Sequence, residues 1–120
     1  MSGMDEILSQ LNEAAAAKGS VVVTNDGMVV AGAMRRELRK DIIGALSSFL
    51  ISATDRCLKQ GEIGTFGRMI MAATHGKVVI QSLDDYFLVV IVDQFADIGA
   101  TLDAVAEACA QLRDLTRIDV

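Results

Sequence analysis

The sequence predicts an α/β fold of the α+β type, in which five antiparallel strands form one sheet with helices on both faces. Three stretches have helical periodicity, and they are separated first by two strands and then by three strands with short turns. The stretch from Tyr86 to Asp93 is apolar at nearly every position, which is typical of a central strand covered on both faces. The length of 120 residues suits one domain, so we expect residues 1–120 to form a single unit.

The chain begins with a predicted helix from Met4 to Ala17, which Lys18-Gly19 would end because Gly accepts a left-handed conformation. The β-branched run Ser20 to Thr24 predicts the first strand, and Met28 to Ala31 predicts the second. Between them lies Asn25-Asp26-Gly27. An Asp-Gly pair between two apolar runs is a strong signal for a tight hairpin, and we interpret Asn25 and Asp26 as turn residues and not as a metal site.

The longest helix is predicted from Glu37 to Gln60, closed by Gly61. Its wider apolar arc is expected to cover the sheet and contains Leu38, Ile42, Ala45, Leu46, Phe49, Ala53 and Cys57, with Ile43 and Leu50 at its edge. A second stripe has spacings of three and four and contains Gly44, Ser47, Ile51, Thr54 and Leu58. This period is typical of helix pairing, so the second stripe predicts a seam with another helix. The alternative is that its apolar members are scattered surface residues.

The rest of the chain predicts three more strands and a helix. Thr65 to Thr74 is the third strand, with Phe66, Arg68 and Ile70 on one face, and its Gly and Arg suit a sheet edge. Lys77 to Leu83 is the fourth strand and Tyr86 to Asp93 the fifth. The last helix starts near Ile98 behind Asp97, a plausible N-cap, and runs nearly to the end of the chain.

Short turns make the strands antiparallel, and the simplest sheet with the fifth strand at its centre has the order 2-1-5-4-3. The long helix would cover one face, and the first and last helices the other. The third strand is then an open edge, which pairing with a second copy would protect. Both this edge and the seam predict a C₂ homodimer. The predicted interface consists of Gly44, Ser47, Ile51, Thr54, Leu58, Phe66, Arg68 and Ile70.

Composition limits the partners. Apolar residues make up 52% of the chain, above the usual roughly 45–50%, although a small domain should need fewer. The surplus indicates apolar surface that another chain buries. The net charge of −5 disfavours nucleic acid. No membrane span, lipidation signal or signal peptide is visible, which predicts a cytoplasmic protein without membrane contact. Cys57 and Cys109 are expected to be buried free thiols.

No catalytic constellation is visible, so we expect no enzymatic activity, cofactor or metal. His75 lies in a turn without a nearby nucleophile or acid pair. Arg35, Arg36, Arg39 and Lys40 form the one basic cluster, for which a solvated helix start is favoured over an anion-binding patch. The chain has no phosphate loop of the Gly-x-x-x-x-Gly-Lys-Ser/Thr type, so it should neither bind nor hydrolyse nucleotide itself.

The hairpin from Ser20 to Ala31, the long helix, the Gly76 to Ile80 strand and the Tyr86 to Val92 strand together resemble the roadblock family. This family includes dynein-associated light chains and bacterial MglB-type regulators, and profilin-like and longin folds share its topology in part. The resemblance covers essentially the whole chain. It implies a homodimer joined through the third strand, with the paired long helices as a docking face.

The resemblance further implies a partner, a small Ras-like GTPase, whose nucleotide cycle the dimer modulates, for example as an activating protein. A scaffold or motor-associated subunit with no effect on GTP turnover is the alternative. A third interpretation is a sensor or enzyme with a ligand pocket between sheet and helices. That interpretation needs polar groups converging in the core, and the sequence displays only scattered Ser and Thr.

Overall fold

The computed structural model describes residues 3–35 and 38–118. These residues form three helices and five strands, which follow one another in the predicted order. In chain order they are α1 (Gly3–Ala15), β1 (Ala17–Thr24), β2 (Val29–Met34), α2 (Lys40–Gln60), β3 (Arg68–Ala72), β4 (Lys77–Leu83), β5 (Tyr86–Val92) and α3 (Ile98–Ile118).

The strands form one antiparallel sheet in the order β2-β1-β5-β4-β3, which confirms the predicted fold class and topology. The strand β5 lies in the middle and pairs with both β1 and β4. Its residues Val89 and Val90 point to opposite faces and are both 0% exposed. The unbroken apolar run in β5 is therefore explained by a sheet that is covered on both faces.

Two separate cores lie on the two faces of the sheet. On one face, α1 and α3 pack with residues such as Leu8, Val105 and Leu112 against Val22 and Val90. On the other face, α2 packs against a smaller core. That second core is formed by Val21, Val23, Phe66, Ile80, Phe87 and Val89. The predicted distribution of one helix on one face and two on the other is confirmed.

The boundary between α1 and β1 lies earlier than predicted. The helix ends at Ala15, and Ala16, with a φ of 51°, takes the left-handed conformation that we had expected of Gly19. Gly19 instead belongs to β1, where it is the register partner of Met34. A Cβ built on Gly19 would lie 2.7 Å from Cγ of Met34, so glycine here permits close cross-strand packing.

The helix α2 begins at Lys40; the predicted start at Glu37 lies outside the described residues. It ends at Gln60, as predicted, although Gly61 has a φ of −84° and is not the left-handed residue. Glu62 takes that conformation, with a φ of 57°, and the N–H of Ile63 donates to the carbonyl of Leu58 at 2.8 Å. This bond is characteristic of a Schellman ending.

The strand β3 is shorter than predicted, because only Arg68–Ala72 pairs with β4. Phe66 precedes it and turns towards α2, where its side chain joins the smaller core. Phe66 therefore does not share a face with Arg68 and Ile70, and the predicted grouping of these three residues is wrong. Met69 and Met71 lie on the α2 side of β3 and are partly buried against the smaller core.

The two stripes of α2 face the opposite way from the prediction. Gly44 and Ser47 are buried, and Ile51 and Leu58 pack on the smaller core, so the second stripe faces this molecule's own sheet. A Cβ on Gly44 would lie 3.0 Å from both the carbonyl oxygen of Gly27 and Cγ2 of Val29. The small residues thus allow α2 to approach the β1–β2 hairpin, and not a second helix as we had expected.

Candidate interaction surface

The arc that was expected to cover the sheet is instead the exposed side of α2. Ile42 is 45% exposed, Leu46 59% and Phe49 72%, and we call these three residues the α2 outer stripe. Ala45, Ala53 and Cys57 are exposed as well, which corrects the expectation that Cys57 is buried. Large apolar side chains grouped on one helix face, rather than scattered singly, indicate a protein contact.

The edge strand β3 provides the second element of the surface. Its register with β4 runs without interruption from the Arg68–Gln81 pair to the Ala72–Lys77 pair. Arg68 is exposed, its Nε donates to Oε1 of Gln81 at 2.7 Å, and Ile70 is 43% exposed. A regular edge with unpaired backbone groups on its outer side can accept another strand.

The opposite edge of the sheet differs because β2 contains a bulge. Val22 is the register partner of Ala31 and Val23 that of Val29, so Val30 is an extra residue, 46% exposed. A bulge bends an edge strand and interrupts its row of hydrogen-bonding groups. Of the two edges, β3 is therefore the one suited to pairing.

The eight residues of the predicted interface are divided by this arrangement. Arg68 and Ile70 lie on the open edge and remain available to a partner. Thr54 is half-buried. The others face the molecule's own sheet or hairpin, namely Gly44, Ser47, Ile51, Leu58 and Phe66. The α2 outer stripe replaces them as the candidate contact surface of the helix.

Sequence reasoning assigned the α2 outer stripe to the core because its apolar arc is the wider one. The signal against this assignment was the pair of small residues, Gly44 and Ser47. Small residues allow a helix to pack closely against another element. The sequence alone does not distinguish between a second helix and the chain's own hairpin as that element.

Few charges lie near the stripe. At the start of α2, Nη2 of Arg39 is 3.4 Å from Oδ2 of Asp41. The N–H of Ile42 donates to Asp41 and lowers the pKa of its carboxyl group, and Arg39 adds to this effect. Near the other end, Nζ of Lys59 is 2.8 Å from Oδ2 of Asp55. Apolar contact therefore dominates this surface, with ion pairs towards its ends.

The described residues contain no group of three or more His, Cys, Asp or Glu side chains able to hold a metal ion. His75 lies in the β3–β4 turn, where its Nδ1 is 2.9 Å from Oγ1 of Thr74. Within the same ranges, none of the helices has the length and hydrophobicity needed to cross a membrane.

Comparison with known proteins supports the resemblance noted in the sequence. The family model of the Roadblock/LC7 domain matches residues 4–93. The uncharacterized protein MJ0714 of Methanocaldococcus jannaschii is 31% identical over 100 residues, covering 82% of this chain and 83% of that protein.

Two solved structures share the fold. Myxococcus xanthus MglB superposes with a TM-score of 0.93 at 17% identity, covering 98% of this chain and 90% of that one. A Roadblock/LC7 domain from Streptomyces avermitilis superposes with a TM-score of 0.88 at 18% identity, covering 97% of this chain and 99% of that one. With the family match over residues 4–93, the sheet order and the helix arrangement all in agreement, the chain belongs to the Roadblock/LC7 family.

Proposed function

We propose that this protein is a homodimeric adaptor that binds a small Ras-like GTPase and modulates its nucleotide cycle, without being an enzyme itself. The observation that carries the proposal is the α2 outer stripe, together with the open β3 edge. Both are contact surfaces that the described part of this molecule leaves uncovered.

A two-fold axis beside β3 would use both surfaces at once. Antiparallel pairing of β3 with its copy would extend the sheet across two molecules and remove the open edge. The two α2 helices would then lie on the same face of the joined sheet. Met69 and Met71, half-buried on that face, would gain cover from the second copy.

The GTPase partner is suggested by family membership and by the resemblance to MglB-type regulators. A pair of α2 helices would present a broad, mostly apolar face with charged residues at its ends. Such a face suits a partner with mobile switch loops, because apolar contact with both α2 helices could hold those loops in one conformation.

Stimulation of GTP hydrolysis could proceed by an inserted arginine or by clamping the partner's switch loops. Arg35 and Arg39 are exposed beside the start of α2, while Arg36 lies outside the described residues. Of the two described arginines, Arg39 is paired with Asp41, and neither has a position that distinguishes its guanidinium as a finger. We therefore propose the clamp, in which the partner's own residues complete its catalytic site.

Affinity purification with the tagged full chain from its native lysate tests the proposal, with GDP or a non-hydrolysable GTP analogue present. We expect recovery of a small GTPase with one nucleotide and not with the other. Equal recovery of a small GTPase with both nucleotides would support the scaffold alternative, provided that the purified protein does not change the rate of GTP hydrolysis by that GTPase. Absence of any small GTPase under both conditions would contradict the proposal.

The arginine variants separate the two mechanisms. Single Ala substitutions at Arg35, Arg36 and Arg39 should leave stimulated hydrolysis within a few-fold of the unsubstituted protein. An inserted arginine contributes about 10³–10⁵ in rate, so a loss of that size at one position would replace the clamp by a finger.

A further inference from the structure

A cleft of about 460 Å³ opens between the C-terminal half of α2 and the end of the sheet that carries the β1–β2 and β4–β5 turns. Ser52 and Asp55 contribute to its helix wall, and Ser82 and Phe87 to its sheet wall. Its volume falls within the range of about 300–1,000 Å³ that is typical of small-molecule sites.

Small side chains line the cleft on both walls. Ser82 pairs with Phe87 on the α2 side of the sheet, two residues after Ile80, which is fully buried on the same side. On the helix, Ser52 lies next to Ile51, which packs on the core. A large apolar residue at either serine would fill this space.

Two hydrogen bonds hold α2 over the cleft. Near one end, Oγ of Ser48 donates to the carbonyl of Asn25 at 2.7 Å. Near the other, the N–H of Phe66 donates to Oδ1 of Asp55 at 2.8 Å. The helix is thus joined on one side of the cleft to the hairpin and on the other to the segment before β3.

The lining combines aromatic surface with hydroxyl groups. Two of the chain's five aromatic residues, Phe66 and Phe87, line the cleft with side chains that belong to the smaller core under α2. Ser52, Thr65 and Ser82 also line the cleft, and their hydroxyls make no hydrogen bond to a described residue. A hydroxyl both donates and accepts, so these three groups can serve a ligand that does the same.

The charge of the cleft disfavours an anion. The carboxylate of Asp55 and the ammonium of Lys59 compensate one another at 2.8 Å, while Asp84 adds an exposed carboxylate at the rim. A phosphate or a free carboxylate would meet this acidic rim. A neutral ligand would meet the hydroxyls of Ser52, Thr65 and Ser82 and the aromatic side chains of Phe66 and Phe87.

We propose that the cleft binds a small neutral molecule whose ring carries vicinal hydroxyl groups, as in a free sugar or the ribose of a nucleoside. The ligand hydroxyls would pair with Ser52, Thr65 and Ser82, and the apolar face of its ring would lie against Phe66 and Phe87. This site is separate from the α2 outer stripe, because none of the stripe's three residues lines the cleft.

NMR titration of the full chain with D-glucose and, separately, with adenosine tests the proposal. Ligands of this size bind with a Kd of about 0.1–1 mM when their contacts are efficient. We expect saturable shifts of the amide signals of Ser52, Thr65 and Ser82. Shifts with both probes indicate a site for the hydroxylated ring alone, whereas shifts with adenosine alone indicate a nucleoside site.

Cavity-filling variants provide the control. Ser82→Leu should weaken binding by about tenfold or more, because the leucine occupies the ligand's volume. Ser9→Leu, at an exposed position of α1, should bind as the unsubstituted protein does. If Ser82→Leu does not fold, Ser52→Leu tests the same volume from the exposed helix wall. Absence of saturable shifts with either probe, or shifts that persist in a folded cavity-filled variant, would overturn the proposal.

Discussion

The backbone N–H of Phe66 donates to Oδ1 of Asp55 at 2.8 Å, which joins the last turns of α2 to the segment leading into β3. This bond fixes where the chain turns from the helix layer to the edge of the sheet. It also positions the side chain of Phe66 in the smaller core. A polar residue of α2 thereby determines where the candidate dimer edge begins.

The Asp55 contact predicts a pH dependence of stability. Hydrogen bonds from the Lys59 side chain and then from the N–H of Phe66 hold the pKa of Asp55 below its ordinary value of 3.8. A carboxyl whose pKa is lower in the folded state stabilises the fold above its unfolded pKa. This contribution is lost as the pH falls through the folded value. Urea midpoints of the unsubstituted protein should therefore decrease below about pH 4.

Asp55→Asn is the matched variant, since it retains the shape of the side chain and removes its titration. Its urea midpoint should be lower than that of the unsubstituted protein at pH 7, and the difference should shrink towards pH 3. A difference that stays constant across this range would show that the Asp55 carboxylate is not the titrating group.

The orientation of α2 predicts unequal effects at two adjacent positions. Gly44→Leu should lower the free energy of unfolding by about 1–3 kcal/mol, because even its Cβ would contact the Gly27 carbonyl and Val29. Ala45→Leu, on the exposed side, should stay within about 0.5 kcal/mol. Chemical denaturation measures both. If α2 faced the other way, Ala45→Leu would be the damaging substitution.

The α2 outer stripe predicts a variant that changes assembly and not folding. Phe49→Glu places a charge at a side chain that is 72% exposed, so the helical signal in circular dichroism should be unchanged. Light scattering should report a monomer where the unsubstituted protein is a dimer. Phe95→Glu, in the β5–α3 connection and 86% exposed, is the control and should leave the mass unaltered. Equal masses for all three proteins would argue against the stripe as an interface.

A polar link between α1 and the sheet predicts coupled substitutions. Oγ of Ser20, fully buried, donates to Oδ1 of Asn12 at 2.8 Å, and Nδ2 of Asn12 donates to the carbonyl of Ala33 at 2.8 Å. Asn12→Ala should cost about 1–3 kcal/mol, because it leaves buried polar groups without a partner. In a double-mutant cycle on the free energy of unfolding, Asn12→Ala and Ser20→Ala should have a coupling energy of about 0.5 kcal/mol or more. Gln10→Ala, exposed on the same helix, should have little effect.

The two cysteines should differ in reactivity. Cys57 is exposed on the outer side of α2, whereas Cys109 is buried in the core between α3 and the sheet. Burial raises the pKa of the Cys109 thiol, which leaves less of the reactive thiolate. A thiol-reactive disulfide reagent should therefore modify one sulfur per folded chain, and Cys57→Ser should abolish this reaction until denaturant is added. Rapid modification of Cys57→Ser under native conditions would contradict the assigned burial.

The sequence alone determined the sheet and its order. The apolar run of β5 requires a central position, the Asp26-Gly27 pair forms a hairpin with Gly27 at a φ of 93°, and Asp97 caps α3 through the N–H of Gly99 at 3.0 Å. These features depend on local geometry and on periodicity, which a sequence carries directly. The edge position of β3 followed from these features. Its start at Arg68 could not be predicted, because the Asp55–Phe66 bond before the strand joins residues from separate elements.

Only the tertiary structure decided which side of α2 faces inwards. The helix has apolar residues on two neighbouring stripes, so periodicity alone permits either orientation. The close contact between Gly44 and the Gly27 hairpin selects one of them and leaves Leu46 and Phe49 exposed. The cleft beneath α2 is likewise lined by residues far apart in sequence, such as Ser52 and Ser82, which are brought to one cleft only when the helix crosses the sheet.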